Sequence, residues 1–249
     1  MSIPIRRITD RLDGFLNKKD YHAAEQLLLS WLNEAQEEKD LPGRLALLNE
    51  QIGLYRKIGR GEDCLKAISA ALQLAGESSL ANSLAAATTF LNGATGYKAF
   101  GFAEKALPLY EQAKLLYEEK LDPEDRRLAA LYNNMALALA DLNKFEEAGS
   151  LFERAIEILK LNENSEGEIA ITLLNLADLA AARDGLEAAE KYIDSCLEQA
   201  EQLLDEEHLP KDGYYAFICE KCAPVFDYYG RFLTRQKLEQ RAREIYERT

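Results

Sequence analysis

An all-α solenoid of about six antiparallel helix pairs is the fold this sequence predicts, and three observations predict it. Ala24, Ala67, Ala106, Ala148 and Ala189 recur at intervals of 43, 39, 42 and 41 residues, each in the second of two helical segments. Ala, Leu, Glu and Lys dominate, and no segment alternates apolar and polar residues as a strand does. Only 14 Gly and 6 Pro occur in 249 residues, too few for a long flexible linker. A fixed period in a helical pattern is the mark of stacked helix pairs that bury one continuous core, so 1–249 reads as a single solenoid domain.

The first pair spans about 3–38 and keeps Tyr21, Ala24, Leu28 and Trp31 in its second helix; its first helix, roughly Pro4 to Asn17, is less regular. The second, about 43–75, keeps Cys64, Ala67, Ala71 and Leu74. Gly59-Arg60-Gly61 predicts a turn about two residues longer there, which sets Gly53 in the small slot. The third, about 79–119, carries Phe90, Gly93, Ala94, Tyr97, Ala103, Ala106, Tyr110 and Ala113.

The fourth pair, about 123–161, is the clearest. Its start reads as Asp122 capping with Pro123 at the first helical position, and its turn as Asn143-Lys144. The fifth, about 166–204, repeats the design with Leu173, Leu176, Ala177, Ala180, Leu186, Ala189, Ile193 and Cys196. The sixth, about 211–248, is degenerate: Phe232 and Ala242 fit, but Arg235 replaces the anchor alanine, which suits a terminal unit. Pro108 and Pro224 fall inside predicted helices, where each is expected to kink or break the helix.

Tyr132, Met135, Ala136, Leu139, Phe145, Ala148, Phe152 and Ala155 give the fourth unit a close resemblance to the tetratricopeptide repeat. The small residues allow close helix approach and the aromatics fill the space between pairs. The resemblance is strong over about 84–200 and weaker at both ends; the long period is similar to the extended repeats of kinesin light chains and bacterial peptide-sensing regulators. It implies a right-handed superhelix with first helices on a concave face and second helices on a convex one.

Composition narrows the function. A net charge of −13 argues against a nucleic-acid surface and against an anionic membrane. Met1 to Phe15 contains no apolar run, so no signal peptide is expected, and the four cysteines read as reduced thiols of a cytoplasmic protein. Cys219-x-x-Cys222 lies at the spacing of buried Leu173 and Leu176, which favours packing over a metal site; no metal or cofactor is expected. Two histidines and no Gly-rich phosphate loop leave no catalytic constellation, so no enzyme is expected. From Glu163 to Glu207 there are 13 acids against Arg183 and Lys191, whereas Arg231 to Thr249 holds six Arg or Lys against three Glu. The acidic block reads as a solvated face, with steering of a basic partner as the alternative.

Fourteen residues before the anchor alanine, units three, four and five place Asn92, Asn134 and Asn175; the corrected turn puts Gln51 in this slot of unit two, and Lys221 holds it in unit six. By the resemblance this slot faces the concave groove, where an amide can satisfy both the N–H and the C=O of an extended peptide. Asparagine is a poor helix-interior residue, so its recurrence needs a cause. Peptide clamping and bonding to a neighbouring helix are both open causes. Leu47, Leu54, Leu91, Leu137, Leu174 and Phe217 are the expected apolar groove residues, with Lys57, Lys98, Lys221, Glu50, Asp141, Asp178, Glu220 and Asp227 as its charges. The resulting expectation is a protein- or peptide-binding scaffold. Self-association through the aromatic sixth pair, giving a homo-oligomer, and a peptide-responsive regulatory sensor are the alternatives.

Overall fold

The computed structural model describes residues 3–77 and 79–248. Met1, Ser2, Ser78 and Thr249 fall within the predicted solenoid span but lie outside the described residues. Among the described residues the chain forms twelve helices in six antiparallel pairs. It divides into two compact units, Met1–Leu121 and Asp122–Thr249. The first contains α1 (Ile5–Asn17), α2 (Tyr21–Glu37), α3 (Leu41–Lys57), α4 (Gly61–Ala75), α5 (Leu84–Ala99) and α6 (Ala103–Lys120). The second contains α7 (Arg126–Asp141), α8 (Phe145–Leu159), α9 (Glu166–Asp184), α10 (Leu186–Leu204), α11 (Gly213–Tyr228) and α12 (Phe232–Tyr246).

The turns within pairs explain the period. Five pairs join their helices through three residues whose middle member has positive φ: Lys19, Gly59, Gly101, Asn143 and Gly230. One left-handed residue reverses the chain while the last carbonyls of the first helix are still being bonded. The fifth pair turns through Gly185 alone, at φ +85°. The turn at Gly59 therefore has the same three-residue length as those of the first, third, fourth and sixth pairs, because Gly61 is already helical.

That shifts the register of the second pair. In every pair the fourth residue of the second helix donates its backbone N–H to the residue just before that helix: Ala24 to Asp20, Cys64 to Arg60, Ala106 to Phe102, Ala148 to Lys144, Ala189 to Gly185 and Arg235 to Arg231, all at 3.0–3.1 Å. The anchor of the second pair is Cys64, not Ala67. Cys64 is fully buried and its Sγ lies 3.7 Å from the Ile52 carbonyl oxygen, where the two helices touch.

Two further expectations are corrected. Asp122 does not cap α7: it accepts from the Glu124 N–H in a turn, and the cap is Asp125, which accepts from Arg127 N–H at 2.9 Å. Of the kink or break expected at Pro108 and Pro224, the break does not occur: α6 and α11 run through them. Both prolines lie on exposed surface, where carbonyls deprived of an N–H donor can reach water.

The cores follow the pattern of small and large residues. In the first unit Tyr110 and Tyr117 are fully buried, with their hydroxyls satisfied by Thr95 and Thr88 of α5 at 3.2 and 2.9 Å. In the second, Ala136, Ala148, Ala177 and Phe152 are fully buried. Where α9 meets α11, Gly167 lies so close to Ile218 that a Cβ would sit 2.4 Å from its Cδ1 and within 3.4 Å of two further side-chain carbons. Gly167→Ala is therefore expected to lower stability by about 1–3 kcal/mol despite alanine's better helix propensity. Denaturant unfolding of Gly167→Ala beside the double variant with Ile218→Val checks this: the second change should recover much of the loss.

Candidate functional site

The corrected register puts Asp10, Glu50 and Asn92 at equivalent positions of the first helices in the first unit, and Asn134, Asn175 and Lys221 at those in the second. Gln51 is displaced from the slot. It is 7% exposed and donates to the Tyr55 hydroxyl at 3.1 Å, which in turn donates to Glu25 at 2.8 Å. Burial and the Glu25 carboxylate push the Tyr55 hydroxyl up to about 12. Gln51 thus belongs to the contact between α2 and α3. Its neighbour Glu50 takes the slot, and burial, with the charge of Asp13 second, raises its carboxyl above the usual range.

The asparagines divide into two kinds. In the first unit Asn92 Nδ2 donates to Asn49 Oδ1 at 2.9 Å, and Asn49 Nδ2 donates to Thr89 Oγ1 and the Leu45 carbonyl, both at 2.9 Å. In the second, Asn175 Nδ2 donates to Asn133 Oδ1 at 2.9 Å, and Thr172 Oγ1 donates to the same oxygen at 3.3 Å. Each group ties one first helix to the next, with a threonine three residues before the donating asparagine. Asn92 and Asn175 each keep an N–H and a carbonyl oxygen beyond this tie. Asn134 differs: its half-buried side chain makes no hydrogen bond among the described residues.

Asn134 instead lines a cavity of about 500 Å³ formed by α7, α9 and α11, together with Arg126, Asn133, Glu168, Tyr214 and Phe217. Glu168 organises one wall, accepting from Arg126 and, at 2.9 Å, from the Tyr214 hydroxyl. Burial, then the Glu168 charge, pushes the Tyr214 hydroxyl well up, so it stays a donor. The Tyr214 and Phe217 rings stack with centroids 6.3 Å apart, and Lys221 Nζ stands 5.5 Å from the Phe217 ring centre.

The other expected groove residues are scattered in role. Lys57 is exposed at the end of α3, and Lys98 and Leu137 are half-buried. Asp178 accepts from the Tyr229 hydroxyl at 2.8 Å; burial raises its carboxyl and this bond opposes the rise. Leu47, Leu54 and Leu174 are buried core residues, not groove lining, because their side chains turn into the contacts between helices. Asn49, Thr89, Asn133, Thr172 and Glu168 are absent from the sequence-based set. The signal for some was present, since Asn49 and Asn92 are 43 apart and Asn133 and Asn175 are 42 apart.

The acidic block and the basic tail meet. Arg231 pairs with Asp194 at 2.8 Å, Lys237 with Glu201 at 3.7 Å and Arg241 with Asp205 at 2.6 Å, so α12 and its cap neutralise part of α10 and its end. Cys219 and Cys222 are free and fully buried, and burial raises both thiols. Among the described residues no cluster of three or more His, Cys, Asp or Glu is placed to hold a metal, and no helix is long and apolar enough to cross a membrane.

Residues 87–160 match the tetratricopeptide repeat family. No curated protein matches the chain. Among solved structures, BtubC (BKLC) of P. vanneervenii is 19% identical with a TM-score of 0.60, covering 92% of this chain and 90% of its own. Nearly identical TPR-like repeats assigned to a kinesin light chain of Podosopora anserina are 18% identical with a TM-score of 0.57, covering 82% and 95%. NprR in complex with its cognate peptide NprX is 16% identical with a TM-score of 0.60, covering 96% of this chain and 66% of that one. These likenesses establish the fold.

Two outcomes separate ties from open groups. Asn133→Ala should cost about 1 kcal/mol, because it leaves the Asn175 amide without its acceptor while Thr172 keeps the Glu168 carbonyl at 2.8 Å, whereas Asn134→Ala should leave melting unchanged or slightly raised. Glu50→Gln should stabilise the protein at pH 7. A carboxyl whose folded pKa is raised costs stability when charged, so this advantage should open as pH rises from the unfolded value near 4.5 through the folded one, and close below it. Melting curves of both proteins across that range test the sign.

Proposed function

We propose that this chain, a tetratricopeptide-repeat protein of the kinesin-light-chain-like kind, is a non-enzymatic scaffold whose first helices hold an extended peptide segment of a partner protein. The observation that carries this reading is Asn134. It sets a complete amide, with its donors and acceptor unspent, beside a cavity walled by the stacked Tyr214 and Phe217. An extended backbone presents an N–H and a C=O that such an amide can bond together, while a peptide side chain packs on the rings.

In the second unit Asn175 adds its remaining N–H and carbonyl oxygen, Leu137 an apolar contact, and Lys221 and Asp178 charges at the edge. In the first unit Asn92 has the same spare capacity, with Lys57 and Lys98 as cationic contacts and Gln51 supporting α3 from behind. The peptide complex of NprR, which shares the fold, supports the reading. The net charge of −13 favours a protein partner over nucleic acid or an anionic membrane, in a cytoplasmic setting.

A second reading has its own observation. Leu233 and Tyr228 are 75% and 69% exposed, and Phe232 and Leu186 are more than half exposed, which favours self-association through the last pairs. Concentration-dependent mass in light scattering supports that reading; a constant monomer mass removes it.

The peptide reading is tested by selecting binders from a displayed library of extended peptides and measuring each against Asn134→Ala. Loss of two hydrogen bonds should weaken binding by about 5–30-fold with an unchanged melting temperature. Peptides that bind the variant as tightly as the parent would sink the proposed clamp. Because Asn92 and Asn175 also tie helices, Asn134 alone separates binding from folding.

A further inference from the structure

A second cavity of the Asp122–Thr249 unit, of about 400 Å³, lies between α8, α10 and the start of α9. Ile156, Leu159 and Leu203 give it an apolar wall, while Ser165, Glu166 and Glu206 supply oxygens. Ser165 is only 1% exposed and its Oγ has no hydrogen-bond partner; though it occupies the cap position of α9, its side chain does not cap. Glu166 Oε2 is likewise buried without a partner, while Oε1 lies 2.9 Å from His208 Nε2. Buried polar atoms are normally satisfied, and each orphan costs about 1–3 kcal/mol. Two consecutive residues of the wall of one partly apolar cavity therefore each carry a buried oxygen without a partner.

The surroundings select the charge of the missing partner. The cavity shares Gln202 and Glu206 with a wider depression that also carries Glu198, Glu201, Asp205 and Glu207. Arg231, at the cap of α12, and Lys237 and Arg241 within it pair with the first three of these, at 3.9, 3.7 and 2.6 Å; the Glu206 carboxylate has His208 at 3.8 Å, and its backbone carbonyl accepts from Lys211 at 3.1 Å. Lys160 also lines the cavity, leaving two carboxylates against one lysine and one histidine.

We propose that this cavity binds a primary ammonium carried on an aliphatic stem. An ammonium has three donors and no acceptor, which suits Ser165 Oγ, Glu166 Oε2 and Glu206, and the stem packs on Ile156, Leu159 and Leu203. A carboxylate of the same length would meet Glu166 and Glu206 with like charge. An alcohol would leave Glu166 with His208 as its one charged partner. The ammonium is either that of a partner's lysine or that of a small free amine, and the recognition chemistry is the same.

Calorimetric titration of the full chain tests this with 1,5-diaminopentane, and separately with a short acetylated and amidated peptide containing one lysine. Pentanol and pentanoate are the controls. At least one amine should bind, and more tightly than both controls; the tighter amine arm identifies the source. Glu166→Gln should weaken amine binding by about tenfold or more. Gln202→Lys, an exposed change at the rim that supplies a tethered ammonium, should raise the melting temperature and block the amine. Equal binding of pentanol, tighter binding of pentanoate, or no binding of either amine overturns the proposal, as does unchanged amine binding by both variants. None of these outcomes bears on Asn134, so the two sites fail independently.

Discussion

Everything in this chain depends on how closely the two helices of a pair approach at the fourth residue of the second helix. Ala24, Cys64, Ala106 and Ala148 are fully buried there, and Ala189 nearly so. A larger side chain would push the helices apart and open the layer of larger residues around them, such as Leu28, Ile68, Tyr110 and Phe152. Cysteine serves at the second pair because a thiol is small and weakly polar, and here its sulfur meets a backbone carbonyl. In the last pair Arg235 stands at this position, half-exposed, with its guanidinium 3.0 Å from Asp227.

Fixing the second helix fixes what the first helix can show. Once the buried side of a first helix is committed to packing, a narrow strip of side chains remains, and the stack takes part of it for itself. Asn49 with Thr89 and Asn92, and Asn133 with Thr172 and Asn175, join adjacent first helices through amides, so these asparagines give the stack polar register as well as surface. A hydrogen bond made this way contributes modestly, but leaving its partner unsatisfied costs more, which favours one register of helix against helix. Asn134 escapes this use because its neighbours in the network are served by Asn133.

Charge is apportioned by the same logic. The acidic stretch of α10 is not a free field of negative potential, since α12 lays arginines and a lysine along it. Exposed pairs of this kind contribute little energy individually. Their larger effect is on distribution: they cancel acid along the side where α12 packs and leave it beside the loop that carries Glu206 and Glu207.

The sequence alone determined the helical class, the pairing of helices and the small-and-large pattern, because these rest on residue size and spacing, which are local. It also placed Asn92, Asn134 and Asn175 on equivalent positions, since a repeat carries its register with it. It did not distinguish a helical Gly61 from a turn residue. That error of a few residues moved the anchor from Cys64 to Ala67 and promoted Gln51 over Glu50. The cap of α7 slipped from Asp125 to Asp122 in the same way, since two acids flanking one proline offer two starts. What only the tertiary structure decided is which side chains have their hydrogen bonds already spent. Asn133 and Asn134 are neighbours of one residue type, yet one is a tie and the other is open. Partnership depends on a helix some 40 residues away arriving within about 3 Å, and no local property of either asparagine records that arrival.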